Sequence, residues 1–285
     1  MSDPIEKEDL DLLEYVKALE NQSNQTRGQQ VQSVLRSLGI QPSIRENRLL
    51  NIKNIIVDFS PGKQDKILLF SAHYDAVKGS PGANDNASGV AVLLGLCRQL
   101  KKVQAPVRVI FFDREEAWLR TPLIKLGIMG SLDYVWRNKL HNVAALYNLE
   151  FCGRGDFLGL WSVKNSEREL AAVKTAEKVA ANLNLKSKSA YIPWVLLSSD
   201  HLAFRFRGIA NSVSLTLLPA SQVAEFEGMV AGLSVRRLLI GKRPQFPDPL
   251  ASVHSQKDTS ARLSEGSLQL MLSVLLEIIK EHDSW

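Results

Sequence analysis

The chain has little of what secreted and membrane-spanning proteins depend on. Only 2 of its 285 residues are cysteine, too few for a disulfide framework and typical of a reducing compartment. The longest apolar stretch, residues 268–279, is interrupted by Ser273 and Glu277 and is too short to cross a bilayer. The N-terminus has neither the basic segment nor the apolar segment of a secretory signal. For a chain that is complete as given, these absences predict a cytoplasmic protein without a membrane partner.

Neither sign of charge is in large excess. The sequence holds 35 Lys and Arg against 30 Asp and Glu, so its formal net charge of +5 is modest for this length. One basic cluster, formed by Arg236, Arg237, Lys242 and Arg243, is interpreted as solvated surface rather than as a site for a polyanion. We therefore expect no nucleic-acid partner.

Composition and length are those of an ordinary globular protein. The chain is 45% hydrophobic and 23% charged, and nothing in it forces a division into several domains. We predict a single domain over residues 1–285, with a helical segment over residues 1–40 packed on it.

Apolar runs alternate with segments of helical periodicity along the chain. Residues 67–70 and 107–112 are continuous apolar runs, the pattern of strands buried in a parallel sheet. Between them, residues 86–102 carry an apolar face at helical spacing. This alternation predicts a three-layer α/β/α sandwich. The other predicted strands are 43–50, 54–59, 143–151, 157–163 and 212–218, and the other predicted helices are 7–19, 25–38, 131–138, 166–183, 199–207 and 263–282.

Polar residues stand where the two central apolar runs end. His73 and Asp75 follow the first run, and a loop rich in glycine then leads to Asp85 at the start of the next helix. In open α/β sheets ligands bind beyond the carboxyl ends of strands, and a histidine and an aspartate placed in this way can converge on one cation. The second run ends in Asp-Arg-Glu-Glu, so Glu115 and Glu116 lie side by side. One of this pair can bind a cation while the other reaches the substrate.

The order of these motifs is similar to that of the M28 family of zinc aminopeptidases and their relatives, the glutaminyl cyclases. The resemblance begins with His-Tyr-Asp and Gly-Ala-Asn-Asp-Asn-Ala-Ser-Gly and covers residues 67–259. It implies a mixed, mostly parallel central sheet of the zinc-exopeptidase kind. Its further motifs are Glu115-Glu116, Gly130-Ser131, Asn148-Leu149-Glu150, Ser199-Asp200-His201 and His254.

The resemblance implies two zinc ions and five protein ligands. His73 and Glu150 would hold one ion, Glu116 and His254 the other, and Asp85 would bridge the two. Three protein ligands for each ion leave positions open for water and substrate, which is the pattern of a catalytic site.

The resemblance also implies two residues that serve catalysis without binding metal. Glu115 would be the general base, accepting a proton from the activated water and passing it to the leaving amine. Asp75 would orient the imidazole of His73. The implied activity is the removal of N-terminal residues from peptides that carry a free N-terminus. Asp200 and His201 receive no ligand role and are interpreted as structural.

Two departures from the aminopeptidase pattern keep alternatives open. Glu150 stands where aspartate is usual, and residues 117–129 lengthen the path from the glutamate pair to Gly130-Ser131. The longer segment resembles the glutaminyl cyclases, which use one zinc to release ammonia from an N-terminal glutamine. Residues 84–89, however, follow the aminopeptidase form. A non-catalytic metal-binding protein is the third alternative.

Overall fold

One mixed sheet of eight strands organises the fold. It is seen in a computed structural model that describes residues 11–59, 66–102, 105–116, 119–120, 125–163, 171–192, 199–232, 248 and 250–283. The strands are β1 Ser43–Asn47, β2 Ile52–Asp58, β3 Ile67–His73, β4 Val107–Phe112, β5 Leu119–Arg120, β6 Lys125–Leu126, β7 Val143–Leu149, β8 Phe157–Val163, β9 Lys186–Ile192 and β10 Ser212–Leu218. Their order across the sheet is β1-β2-β4-β3-β7-β10-β8-β9, and β5 and β6 form a separate hairpin.

The four central strands, β4, β3, β7 and β10, run parallel to one another. On one side β2 pairs antiparallel with β4, and on the other β8 pairs antiparallel with β10. The α-helices are α1 Leu12–Leu19, α2 Asn24–Ser37, α3 Ser88–Leu100, α4 Met129–Arg137, α5 Ala171–Asn182, α6 His201–Phe206, α7 Val223–Gly232 and α8 Glu265–Asp283. The prediction of an α/β fold with a mixed, mostly parallel sheet between two helical layers is confirmed.

Alternation along the central strands divides the core into two layers. On β3, Leu68 and Phe70 face a large apolar cluster that also contains residues of α1, α2, α3, α5 and α8. Leu69 faces the other side, where it packs with Phe112 and with Phe204 of α6. Successive side chains of a strand point to opposite faces of the sheet, and here both faces are covered by helices. Both sets of side chains are therefore apolar, which explains the unbroken apolar runs in the sequence.

The N-terminal helices pack on the larger cluster through Leu12, Val16, Val31 and Leu35. Ser23 caps α2, since its hydroxyl accepts a hydrogen bond from the amide of Thr26. That residues 1–285 form one domain stays a prediction. None of the described helices combines the length and the apolar character that crossing a membrane needs.

Several boundaries differ from the predicted ones. The helix predicted over 86–102 begins at Ser88, after an irregular turn over Ala83–Ala87, and the strand predicted over 143–151 ends at Leu149. Strand β9 was missed because Lys186 and Lys188 break any apolar pattern, as charged residues do on edge strands. Helix α7 and the hairpin of β5 and β6 were also missed. Residues 7–10 and 166–170 of two predicted helices lie outside the described residues.

Both cysteines, Cys97 and Cys152, are buried free thiols. They form no disulfide bond with each other. The cytoplasmic location inferred from the sequence stays a prediction.

Candidate metal centre

The ends of three neighbouring parallel strands bring the predicted site residues together. His73 is the last residue of β3, Glu115 and Glu116 follow β4, and Glu150 follows β7 directly. Because parallel strands end at the same edge of the sheet, these side chains share one crevice. Asp85 reaches it from the turn that precedes α3. All five residues are buried, so the crevice concentrates four carboxyl groups away from bulk water.

The inner part of the site is centred on the imidazole of His73. Its Nε2 atom lies 3.3 Å from Oδ1 of Asp85 and 3.5 Å from Oε2 of Glu150. Oε2 of Glu115 is farther away, at 3.9 Å from the same nitrogen. The backbone carbonyl of Asp75 lies 3.1 Å from Nδ1, on the other side of the ring. The ring is therefore oriented so that Nε2 faces the carboxylates.

The outer part of the site is centred on His254. Its Nε2 atom lies 2.7 Å from Oε1 of Glu116 and 3.1 Å from Oδ2 of Asp85. The two oxygens of Asp85 thus face two different imidazoles, as the predicted bridging role requires. The side chain of His254 is 28% exposed, whereas that of His73 is 1% exposed.

The donor set suits zinc. Nitrogen and carboxylate ligands bind Zn²⁺ at about 2.0–2.1 Å in tetrahedral geometry, which places ligand atoms about 3.3 Å apart. The separations of His73 from Asp85 and Glu150, and of His254 from Asp85, lie close to that value. Donor atoms of His73, Asp85 and Glu116 also lie within 4.8 Å of one another, a spread that a single ion could use.

Asp75 organises the glutamate pair as well as His73. Its two carboxylate oxygens accept hydrogen bonds from the backbone amides of Glu115, at 3.0 Å, and Glu116, at 3.1 Å. The sequence predicts Asp75 as the residue that orients His73, and the structure brings Oδ1 to 3.3 Å from Nδ1 of that ring. One buried carboxylate therefore links the end of β3 to the segment after β4.

Glu150 is held from beneath by a polar network that the sequence did not reveal. Its Oε1 accepts hydrogen bonds from the side chains of Asn148, at 2.9 Å, and Ser199, at 3.0 Å. The amide of Asn86 donates to Oε2 at 3.2 Å. These donors fix a carboxylate that is one methylene longer than the usual aspartate. The serine of the Ser-Asp-His motif thus supports the site, while His201 lies behind it, 2.8 Å from the hydroxyl of Ser214.

Two further buried charges support the turn that carries Asp85. Asp258 accepts hydrogen bonds from the backbone amides of Asn84, at 2.7 Å, and Asp85, at 3.1 Å. The fully buried guanidinium of Arg27 donates to the carbonyls of Tyr74 and Gly82, on either side of the loop between β3 and that turn. Nothing in the sequence distinguishes these residues from exposed ones, because neither lies in a motif or in an apolar pattern.

The pKa values show that the cluster favours positive charge at its centre. Burial would lower the pKa of His73, but the carboxylates of Glu115 and Glu150 raise it well above its ordinary range. Burial likewise opposes the charge on His254, yet hydrogen bonds to Asp85 and Glu116 raise its pKa to about 9. The carboxylates therefore hold both imidazoles protonated, a positive charge that a bound metal cation can replace.

The pKa values of two carboxyl groups in the cluster are shifted in opposite directions. Burial would raise the pKa of Asp85, but hydrogen bonds from His254 and His73 hold it well below its usual range. For Glu115, burial raises the pKa well above its usual range, and the charge of His73 offsets this only in part. A carboxyl group whose pKa is raised is suited to accept a proton near neutral pH.

The sequence matches a known family over most of its length. Residues 54–279 match the model of peptidase family M28. Among curated proteins, aminopeptidase YwaD of Bacillus subtilis is 38% identical over 96 residues, which is 32% of this chain and 19% of that protein. Aminopeptidase Y of Saccharomyces cerevisiae is 34% identical over 89 residues, 30% of this chain and 15% of that protein. The aligned part of the chain spans less than a fifth of either relative.

Solved structures share the fold. A zinc aminopeptidase from Bacillus subtilis has a TM-score of 0.61 and 24% identity, covering 81% of this chain and 50% of that one. A glutaminyl cyclase from Porphyromonas gingivalis has a TM-score of 0.69 and 18% identity, covering 95% of this chain and 97% of that one. A leucine aminopeptidase precursor from Bacteroides thetaiotaomicron has a TM-score of 0.69, 17% identity and coverages of 94% and 95%. At these identities the likeness establishes the architecture.

Proposed function

Because the chain belongs to peptidase family M28, we propose that it is a zinc-dependent aminopeptidase that removes residues from the free N-terminus of peptides. The observation that carries the proposal is the position of Asp85 between His73 and His254, with one carboxylate oxygen facing each imidazole. A bridging carboxylate with histidines on both sides is what a pair of metal ions requires, and a single ion would need only one side.

Five residues would hold two zinc ions in this proposal. His73 and Glu150 supply donors on the inner side, Glu116 and His254 on the outer side, and Asp85 serves both. When bound, zinc polarises the first peptide carbonyl and lowers the pKa of water toward 7. The buried amides and hydroxyls around Glu150, together with Asp75 and Asp258, keep the donors in place.

Glu115 would act as the general base. Its carboxylate lies at the inner side of the cluster, 3.9 Å from Nε2 of His73, and is too far for a hydrogen bond to that ring. It is thus available to accept a proton from the attacking water and to donate it to the departing nitrogen. Burial raises its pKa, which favours its accepting a proton.

The free α-amine of the substrate would be recognised by the carboxylates of Glu115 and Glu150. A protonated amine pairs well with buried carboxylates, since charge-assisted hydrogen bonds are strong in a partly desolvated crevice. An acetylated N-terminus would lose this charge and should not be processed. The outer side, where His254 is partly exposed, leaves room for the rest of the peptide.

Glutaminyl cyclase chemistry is the second candidate, supported by cyclase structures that match nearly the whole chain. Mass spectrometry separates the two activities. We expect a peptide with a free N-terminus to shorten by single residues and its acetylated form to stay intact. A peptide that begins with glutamine and loses ammonia without shortening would instead establish the cyclase, and equal cleavage of free and acetylated peptides would contradict amine recognition.

A further inference from the structure

A large groove lies beside the predicted metal ligand Glu116. Its volume is about 1280 Å³, above the roughly 300–1,000 Å³ of pockets for drug-sized ligands. Asp75 and Glu116 form its inner end. From there it runs between the N-terminal part of α2 and the segment Tyr74–Ser80, and Gln256 lines its far side. The groove therefore reaches the predicted metal ligand Glu116 and Asp75, the residue predicted to orient His73.

The walls of the groove are fixed to one another. Oδ1 of Asn24, in the first turn of α2, accepts a hydrogen bond from the amide of Ala76 at 3.0 Å. Arg27, one turn later, donates to the carbonyl of Tyr74. A Cβ atom at Gly28 would lie 3.1 Å from the ring of Tyr74, so helix and segment are in close contact there. Because these contacts are buried or short, the groove is preformed.

The lining offers many hydrogen-bonding groups alongside apolar surface. Within the described residues, the side-chain amides of Gln22, Gln25, Gln29 and Asn51 line the groove and make no hydrogen bond with the protein. Amide side chains both donate and accept, so they match the backbone of an extended peptide whatever its sequence. Such a lining suits a peptide chain better than an apolar ligand.

Both signs of charge line the groove. The acidic residues Asp75, Asp113 and Glu116 are buried. The cations Lys53, Lys78 and Arg114 line it as well, and the two lysines are exposed. In the described part of the chain, Lys78 and Arg114 have no salt bridge, and Lys53 has one, at 3.5 Å from Glu46. Lys78 thus offers a positive charge without an ion pair in the described part of the chain, whereas Lys53 shares its charge with Glu46 and Arg114 interacts with Asp113.

We infer that this groove binds the part of a peptide substrate that follows the scissile bond and favours acidic residues there. This inference rests on the proposed aminopeptidase function. With the α-amine at Glu115 and Glu150, the remaining residues leave the metal centre past Glu116 and enter the groove. Backbone groups then meet the amide side chains, and carboxylates at the third and fourth residues meet the lysines and Arg114.

Calorimetric titration with peptides that cannot be cleaved tests the inference directly. The peptides begin with leucine, carry a reduced first peptide bond, continue with glycine, end as C-terminal amides and differ only in the last two residues: Asp-Asp, Asn-Asn or Lys-Lys. We expect Asp-Asp to bind about threefold to tenfold more tightly than Asn-Asn at low ionic strength, because exposed ion pairs contribute modestly. The preference should shrink at about 1 M salt.

A charge-reversal pair supplies the matched control. The double variant Lys53→Glu/Lys78→Glu should favour the Lys-Lys peptide, whereas Lys101→Glu/Lys139→Glu, which changes exposed lysines outside the groove, should keep the wild-type order. Equal affinities of the three peptides for the wild-type chain, or an unchanged order in the groove variant, would overturn the inference. Because binding is measured without cleavage, a chain that prefers Asp-Asp but fails to shorten peptides would sink the proposed function alone.

Discussion

The two imidazoles of the site are held by very different parts of the chain. His73 ends a strand that pairs with strands on both sides, and it is almost fully buried. His254 lies in a turn between the short helical turns Leu250–Ser252 and Ser260–Arg262, with a left-handed φ of 59° and a partly exposed side chain. The backbone of the sheet fixes the inner histidine, whereas the outer one depends on its own turn.

Side chains anchor the outer segment in place of strand pairing. Asp248 accepts a hydrogen bond from Arg262 at 2.6 Å and also pairs with Arg154. Asp258 holds the turn of Asp85 through two backbone amides. Such contacts can be removed one at a time, unlike a ladder of backbone hydrogen bonds. The comparison therefore predicts that substitutions on the inner side act on folding and chemistry as well as on metal binding, whereas those on the outer side act chiefly on metal binding.

The largest effect is expected for the turnover of Glu115→Gln. A loss of turnover in this variant would show that the chemistry depends on the inner side. Turnover should fall by about two to four orders of magnitude, the range that general acid–base groups contribute. Zinc content should stay unchanged because Glu115 is not a predicted ligand. Steady-state kinetics and elemental analysis check both points, with Glu14→Gln, at an exposed position of α1, as the control. Near-normal turnover would refute the role of Glu115.

The stability of the metal-free protein compares the two histidines directly. Removing His73 leaves buried carboxylates without a counter-charge, so His73→Ala should lower the free energy of unfolding by about 3–5 kcal/mol. His254→Ala should cost only about 1–2 kcal/mol, since the partly exposed position that the imidazole vacates lets water reach Asp85 and Glu116. Urea denaturation after treatment with a chelator measures both values. Equal losses of unfolding free energy in the two variants would contradict the distinction between the buried inner side and the partly exposed outer side.

Asp258→Asn tests how the outer segment acts on the shared ligand. An asparagine keeps one acceptor but turns an amide group toward the second backbone N–H, which should displace Asp85. Zinc affinity should fall about tenfold to a hundredfold, as is typical when a residue that positions ligands is changed. Competition with a chromophoric chelator gives the affinity. Asp156→Asn, which alters a carboxylate that accepts the amide of Ala220 far from the site, should leave zinc affinity as it is.

The smallest expected effect is the contribution of His201, which lies behind Glu150, to the loss of folding stability at acid pH. Burial lowers the pKa of His201 to about 3, below its ordinary value, so the unfolded chain takes up a proton that the folded chain excludes. Stability should therefore fall as pH falls below about 6.5, with His201 contributing about 0.7 kcal/mol between pH 7 and pH 6. His201→Gln should remove that part of the slope, while His141→Gln, at an exposed position, should not. An unchanged slope in the His201 variant would contradict this contribution.

The contrast between the inner and outer sides also explains which site residues could be predicted from the sequence. Apolar runs predict β3 and β4 with little error, and hence the strand ends where His73 and the glutamate pair stand. His254 could be named only through the family resemblance, because its turn has no periodicity. Arg27 and Asp258 escaped notice because burial of a charged residue depends on distant segments that pack over it. The network of Asn148 and Ser199 under Glu150 likewise forms only when β7 and the start of α6 meet.

Zinc content across three proteins distinguishes a site for two ions from a site for one. We expect about two zinc ions per chain in the reconstituted wild-type protein, and about one in each of His73→Ala and His254→Ala, because each histidine serves a different ion that shares Asp85. Elemental analysis after removal of excess metal gives the numbers. A wild-type chain that retains one zinc, lost completely in one of the two variants and kept in the other, would contradict a site with two ions.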